Sequence, residues 1–385
     1  MNSLLAPSKP RSTTLRPVQG GNAVRNAFTD ADSLQGLLTD IKGAKRKIQF
    51  ETFLLNGADG QAVVDALITQ HQAGVKVQVL MDEGASALDK NRLYKQLKSA
   101  GIDARFLPKI EGVPYSVDHT KLSVIDDRIV WAGGANFDKE NNRDMMSRIE
   151  GPAVADFQDT FDEGWKRAGG TKLSVARDAS VKGDVWVGVS QNSAGENSAR
   201  TQVLGELKLM GKGDAVDVWM MDLADPAVVD ALLEAKARGA AVRVLLDQSV
   251  PFTSGGFADP AIKAIAGGIP DLGAIPRLQE AGIDVRRYVR PEGVTKLHSK
   301  VWIFTEQAGK QDETRRVIGG SVNAIKGAYD FNHELGFLMY GGGVGADVKA
   351  AFEQDLARHS EPVPPLSTWE GIKAKAVGFF TRHLI

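Results

Sequence analysis

The 385-residue chain has no cysteine. That excludes a disulfide framework, a thiol nucleophile and a thiolate metal site. It also lacks any run near the roughly 18–20 apolar residues of a membrane span. The opening stretch MNSLLAPSKPRSTTLRPVQGG offers only Leu4 to Ala6 before Pro, Lys and Arg intervene, so it does not read as a secretory signal. An excess of charge is missing too, with 47 Lys and Arg against 48 Asp and Glu. A chain so balanced is not built to coat a polyanion, which makes nucleic acid an unlikely partner. Histidine is scarce, six in all, and this gives weight to any spacing that two of them share.

Two do share one. His119-Thr-Lys121 opens the run HTKLSVIDDRIVWAGGAN, and His298-Ser-Lys300 lies in LHSKVWIF, which resumes at VIGGSVN. Both runs read as β-strands, in which residues two apart share a face. Each H-x-K therefore sets an imidazole beside an ammonium. After each comes a glycine pair, Gly133 and Gly134 or Gly319 and Gly320, the latter followed by Ser321, and then Asn136 or Asn323. Glycines there let backbone approach a ligand closely or form a tight turn.

The repetition is long. A helix-like pattern runs from Asp30, with Asp32 or Ser33 able to cap it; the strand Lys47 to Asn56, a helix Gln61 to Gln72 and the strand VKVQVLMD (Val75 to Asp82) follow. A strand from Asp217, a helix Pro226 to Arg238 and AAVRVLLD (Ala240 to Asp247) repeat that order. Alternating strands and helices with short connections predict α/β architecture with largely parallel strands covered on both faces. The expected divisions are a mobile or strapped-on tail over 1–25, a first repeat over 26–178, a second over 179–345 and a C-terminal helical segment over 346–385. A Gly- and Pro-rich insertion between Val250 and Ala274 reads as a loop or lid over the site. In the last segment Trp369, Ile372, Ala376, Phe379 and Phe380 form one helical stripe flanked by Lys373, Lys375 and Arg382. Such a basic amphipathic helix packs on its own domain or lies in a membrane interface.

Two histidines form a natural pair for nucleophilic and acid–base work near neutral pH. One neutral imidazole attacks phosphorus while the other, protonated, delivers a proton to the leaving oxygen. Lys121 and Lys300 would hold the non-bridging oxygens, helped by the amides of Asn136 and Asn323. Asp144 in NNRDMM and Glu334 in FNHELG are the candidates to orient the imidazoles; His333 reads as a wall residue. No carboxylate- or His-rich cluster has ligand spacing, so the site reads as metal-free, and no cofactor is implied.

These motifs resemble the phospholipase D superfamily, whose signature H-x-K-x4-D followed by Gly-Gly/Ser-x-Asn occurs twice. His119, Lys121 and Asp126 with GGAN match in full; His298 and Lys300 with GSVN match, with Thr305 where Asp is expected. The stretches IQFETFLLNGADGQAVVDALITQHQAGVKVQVLMDEGAS and NRDMMSRIEGPAVADFQDTFDEGW are similar to cardiolipin synthase-like members. The resemblance implies two pseudo-symmetric α/β/α halves, with mixed, mostly parallel sheets packed together and the active site at their interface. It implies phosphodiester cleavage or phosphatidyl transfer on phospholipids in two steps without metal, with a phosphohistidine at His119 and His298 as acid and then base. It gives Asp126 a structural role. A nuclease of the same superfamily and a non-catalytic interaction protein with a degenerate second motif are the alternatives. The expected partners are a phospholipid substrate and, through the C-terminal helix, a membrane surface. One chain suffices for a complete site, and the expected location is the cytoplasm, peripheral to a membrane.

Overall fold

The computed structural model describes residues 16–110, 112–113, 116–138, 140–173, 181–193, 196–247, 269–310 and 313–364. The first half runs β1 (Gln19–Thr29), α1 (Asp30–Gly43), β2 (Lys47–Thr52), α2 (Gly57–Gln72), β3 (Lys76–Met81), α3 (Glu83–Ala87), α4 (Arg92–Ser99), β4 (Asp103–Phe106), β5 (Leu122–Ile125), β6 (Ile129–Gly133), β7 (Arg143–Glu150) and α5 (Val154–Arg167). The second runs β8 (Val185–Ser193), β9 (Glu196–Asn197), α6 (Ser198–Leu209), β10 (Ala215–Met220), α7 (Pro226–Ala237), β11 (Ala241–Leu246), α8 (Ile269–Glu280), β12 (Asp284–Tyr288), β13 (Lys300–Glu306), β14 (Thr314–Gly320), α9 (Lys326–Asp330), β15 (Glu334–Gly341), α10 (Val344–Arg358) and β16 (Ser360–Pro362).

Local chemistry sets the helix ends. Helix α1 is capped one turn earlier than expected: the Asp32 N–H donates to Thr29 Oγ1 at 3.1 Å, not to a cap at Asp32 or Ser33. In α7 the Val228 N–H donates to Asp225 Oδ1 at 3.1 Å, and Pro226 takes the first turn, where no N–H is needed. Gly74 and Gly239 close α2 and α7 at φ +92° and +98°, conformations that a side chain would strain.

The strands form one sheet in the order β16-β12-β11-β10-β13-β14-β15-β8-β1-β7-β6-β5-β2-β3-β4, with β9 paired to β8. Apart from β16 and β9, the order is a palindrome about the β8–β1 junction. The mixed sheet and the two matching halves are as expected, but the strands are not largely parallel. Among the described residues only β2–β3–β4 and β10–β11–β12 pair in parallel. Beyond them the chain returns through hairpins such as β5–β6, turned at Asp126 and Asp127 with φ +55° and +58°. The two halves are joined edge to edge by β1 and β8 and also pack on each other as expected, β14 and β15 against β6, and β13 and β14 against β7.

Residues 19–25, expected within a tail, belong to β1, which pairs with β7 on one side and β8 on the other. The strand holds by main-chain bonding on both edges, while its run Gly20-Gly21-Asn22 carries little apolar alternation. Helix α10, expected to begin a separate C-terminal segment, packs on β13, β14 and β1 as α5 packs on β5, β6 and β8. Most of the 250–274 insertion and the stripe from Trp369 lie outside the described residues; its last part opens α8. No helix among the described residues is long and apolar enough to cross a membrane.

The central core draws on both halves, setting Leu122, Val124, Phe161 and Trp165 with Val301, Ile303, Phe337 and Phe352. Buried polar contacts dock its two helices in register. Lys47 bonds Gln158 on α5 at 3.3 Å, and Asp217 pairs with Lys349 on α10. These contacts fix the helices against the sheet.

Candidate active site

His119 and His298 stand immediately before β5 and β13 and not inside a strand. There each segment leaves its own sheet and pairs with the other half. The His119 N–H donates to His333 O at 2.9 Å, and the His333 N–H to Val117 O at 2.9 Å. In the mirror position the His298 N–H donates to Arg143 O at 2.8 Å, and the Arg143 N–H to Lys296 O at 2.9 Å. His333, read as a wall, lines a cavity beside the site and is a pairing residue as well. Two carboxylates the sequence reading gave no role steady these entries: Asp118 N–H donates to Asp82 Oδ2 at 2.9 Å, and Leu297 N–H to Asp247 Oδ2 at 2.6 Å. The matching runs VKVQVLMD and AAVRVLLD both end on these aspartates, which was the available signal.

The orienting carboxylates are exchanged between halves. Glu334 Oε2 lies 3.0 Å from His119 Nδ1, and Asp144 Oδ2 lies 2.5 Å from His298 Nδ1. Glu334 opens β15 and Asp144 is second in β7, each directly after the residue that pairs with the opposing histidine segment. The glycine elements shape this contact. A Cβ on Gly134 would sit 2.3 Å from Asp144 Oδ1. Its counterpart Ser321 instead donates its hydroxyl to Glu334 Oε2 at 2.5 Å. Gly133 and Gly320 are needed for backbone approach, since an added Cβ would meet Met145 O at 2.1 Å and Leu335 O at 2.2 Å. Gly319 faces the other half, where its Cβ would meet Met145 Cε at 2.3 Å.

The lysines are buried with the histidines. Lys121 Nζ donates to His119 O at 2.7 Å and Lys300 Nζ to His298 O at 2.5 Å. Burial pushes Lys121 down to about 7, against Glu334 and with the help of Lys300. It pushes Lys300 down to about 8, against Asp144. Burial also holds His119 below the usual imidazole range, opposed by Glu334. His298 lies well below that range through burial and the charges of Lys300, Lys296 and Lys121. Asp144 rises to about 6 by burial, opposed by Lys300. Both imidazoles are therefore neutral at pH 7, and the carboxylates at Nδ1 select the tautomer with its lone pair on Nε2. The buried Oδ1 atoms of Asn136 and Asn323 have no hydrogen-bond partner among the described residues. Among those residues no three His, Cys, Asp or Glu side chains gather to hold a metal ion.

Asp126 is remote from this chemistry. Its carboxylate accepts the N–H groups of Lys45, Arg46 and Lys47 at 2.8, 2.7 and 2.9 Å, tying the β5–β6 turn to the entry of β2. Thr305 takes the equivalent place, buried, with Oγ1 unpartnered among the described residues. The tie survives in reverse, because Asp214, ahead of β10, accepts the Gln307 N–H at 3.1 Å and the Gly211 N–H at 2.9 Å.

The sequence profile of the family described as "Cardiolipin synthase, PLD-like domain" matches residues 37–165 and 208–356. The major cardiolipin synthase ClsA of Bacillus subtilis (strain 168) is 26% identical over 355 residues, which cover 86% of this chain and 68% of that protein. Cardiolipin synthase B of Salmonella typhimurium is 35% identical over 131 residues, 30% of this chain and 32% of its own length. Among solved structures, a phosphatidylserine synthase of Haemophilus influenzae Rd KW20 superposes with a TM-score of 0.68 at 14% identity, covering 96% of this chain and 97% of that one. At that identity the likeness is one of fold.

Proposed function

The chain belongs to the phospholipase D superfamily, in its cardiolipin synthase-like family, and on that premise we propose that it is an enzyme transferring a phosphatidyl group from a phospholipid to an alcohol or to water. The observation that carries the proposal is the exchanged pair of His–carboxylate contacts, which makes one centre from two halves of a single chain.

In the first step His119 Nε2 attacks phosphorus and forms a P–N bond, while the P–O bond to the departing alcohol breaks. Lys121 and Lys300 hold the non-bridging oxygens, where charge concentrates. The bound anion offsets the lysine charges that depress His298, so His298 can carry the proton it gives to the leaving oxygen. In the second step His298 takes a proton from the accepting alcohol or water, whose oxygen attacks phosphorus, and the P–N bond breaks. The two ammonium groups supply the charge that a metal ion would bring, so the reaction needs no metal. Asn136 and Asn323 donate amide hydrogen bonds to the same oxygens.

The Asp214 tie to Gln307 supports an intact second half against the degenerate-motif alternative. The test is turnover with EDTA present, on mixed phosphatidylglycerol and phosphatidylcholine vesicles with a small alcohol, beside single-stranded DNA. Alcohol-dependent formation of a new phospholipid, abolished by His119→Asn or His298→Asn, is the expected result. DNA cleavage with silent lipids would replace the proposal by the nuclease alternative.

A further inference from the structure

Glu51, next to last in β2, and Asp118, directly before His119, are carboxyls that the proposed reaction leaves unused. They are 4% and 2% exposed, and their side chains lie within hydrogen-bond reach of each other. Glu51 Oε2 and Asp118 Oδ2 have no hydrogen-bond partner among the described residues. Two buried acceptors that meet with no donor between them need a proton.

The second half shows that the fold does not require such a pair. Glu51 stands opposite Leu122 on β5, and Trp219 opposite Val301 on β13. Leu122 and Val301 are each the third residue after the histidine, so Trp219 is the mate of Glu51. Leu297, directly before His298, is the mate of Asp118. The main chain is alike on the two sides, since Asp118 N–H and Leu297 N–H each donate to the aspartate that follows β3 or β11. The side chains differ in kind: Trp219 and Leu297 belong to the central apolar core, where the first half buries two acids.

The surrounding charges leave the pair to itself. Asp118 Oδ1 accepts the Thr120 N–H at 3.2 Å. Lys121 bears on Asp118 from the entry to β5, but its Nζ is given to His119 O. Lys109 Nζ lies 3.6 Å from Asp82 Oδ2. Arg167, at the end of α5 with Glu163, bears on both acids, but its Nη atoms meet the His333 ring nitrogens at 3.0 and 3.1 Å. Glu334 is taken by His119 and Ser321. Burial and then Asp118 push Glu51 well above the usual carboxylate range, while burial and Asp82 lift Asp118 to about 7. The proton therefore sits on Glu51, whose O–H donates to Asp118 Oδ2.

That bond ties the end of β2 to the turn carrying His119. Two residues past Glu51, Phe53 sets its ring against the His119 ring, with centroids 4.9 Å apart, and lies 5.1 Å from Lys121 Nζ. Holding Glu51 to Asp118 holds both sides of this contact.

We propose that Glu51 and Asp118 share a single proton, and that the hydrogen bond it makes positions His119 for its attack on phosphorus. Neither acid touches the substrate; both are positioning residues. The positioning rests on the proposed activity, and the shared proton does not. The proton is read by infrared difference spectroscopy at pH 7 in EDTA. Wild type minus Glu51→Gln shows the carbonyl stretch of a protonated carboxylic acid. In urea titrations the wild type loses stability against Glu51→Gln as pH rises above about 5, by up to about tenfold in folding constant per pH unit, because the folded chain keeps a proton that the unfolded one releases. Asp118→Asn, which still accepts from Thr120, loses the same band and carries this arm if Glu51→Gln does not fold. Absence of the band and of the stability difference would overturn the shared proton.

Positioning is read in stopped flow from a phosphatidyl ester of p-nitrophenol, whose leaving group needs no proton. Glu51→Gln still donates to Asp118 and keeps the burst rate within about threefold, whereas Glu51→Leu has no donor and lowers it by about tenfold or more. Asp118→Leu, which installs the residue of the mate position, behaves as Glu51→Leu does and replaces it if that variant does not fold. Equal burst rates in the Gln and Leu variants would overturn the positioning and leave the shared proton standing. Absence of all wild-type turnover would indict the proposed activity instead. The positioning is then read from the His119 imidazole nitrogen resonances, which match wild type in Glu51→Gln and shift in Glu51→Leu; resonances alike in both would overturn it.

Discussion

Because the carboxylates are exchanged between halves, Asp144→Asn and Glu334→Gln should disable different steps. Asp144 is fully buried, with Oδ2 at 2.5 Å from His298 Nδ1 and Oδ1 accepting the Met145 N–H at 2.8 Å. Asparagine keeps this shape but turns an amide N–H toward Nδ1, forcing the proton onto Nε2 and removing the base of the second step. The same substitution beside the histidine of a Ser–His–Asp triad costs about 10⁴ in turnover, equivalent to about 5.5 kcal/mol of barrier. We expect a loss of about 10³–10⁴ for either variant with natural lipid. A phosphatidyl ester of p-nitrophenol separates them, since its leaving group needs no proton. Asp144→Asn should release a stoichiometric burst of p-nitrophenol in stopped flow and stall as the covalent adduct. Glu334→Gln, with the wrong tautomer on the nucleophile, should give no burst. A burst from Glu334→Gln and none from Asp144→Asn would refute the exchanged pairing and the roles built on it.

The buried ammonium groups set a pH signature. Lys121 and Lys300 lose charge near 7 and 8, so kcat/KM should fall between about pH 7 and 8. For stability, the unfolded chain binds more protons at Lys121 between its folded value of about 7 and the usual 10.5. Its cost is therefore full below pH 7 and gone above 10.5, and Lys121→Met should stabilise an inactive protein by up to about 5 kcal/mol at low pH in urea titrations. Asp126→Ala and Asp214→Ala should each cost about 1–3 kcal/mol of stability for the N–H groups left unmatched, with turnover of the folded enzyme nearly intact. Gly134→Ala should lower turnover at least a hundredfold with the fold retained, because its methyl displaces Asp144, as a circular-dichroism melt beside the assay would check.

The proposed reacting residues were legible because their pattern is local: each H-x-K lies at the entry to one strand and each Gly-x-Asn turn follows the hairpin that strand opens. Their partners were not. Glu334 is 215 residues from His119, and Asp144 is 154 from His298, and no periodicity says which carboxylate crosses to which ring. Strand β1 was read as tail because Gly20, Gly21 and Asn22 carry no apolar alternation; its place is set by partners on both edges. Thr305 looked like decay because Asp214 lies just ahead of another strand, β10, where only the ladder brings it to Gln307. Glu51 lay inside an apolar run and drew no notice until the fold set it beside Asp118 and opposite the mate position filled by Trp219.

The central claim is one composite centre, with His119 as nucleophile and His298 as the group that completes the transfer. Its most direct measurement is acid-free quenching of the His298→Asn variant during reaction with the p-nitrophenyl donor in EDTA, followed by peptide mass spectrometry. The account predicts a phosphatidyl adduct on the peptide carrying His119, absent when His119→Asn is added. An adduct elsewhere, or turnover that depends on a metal and passes through no adduct, would contradict it.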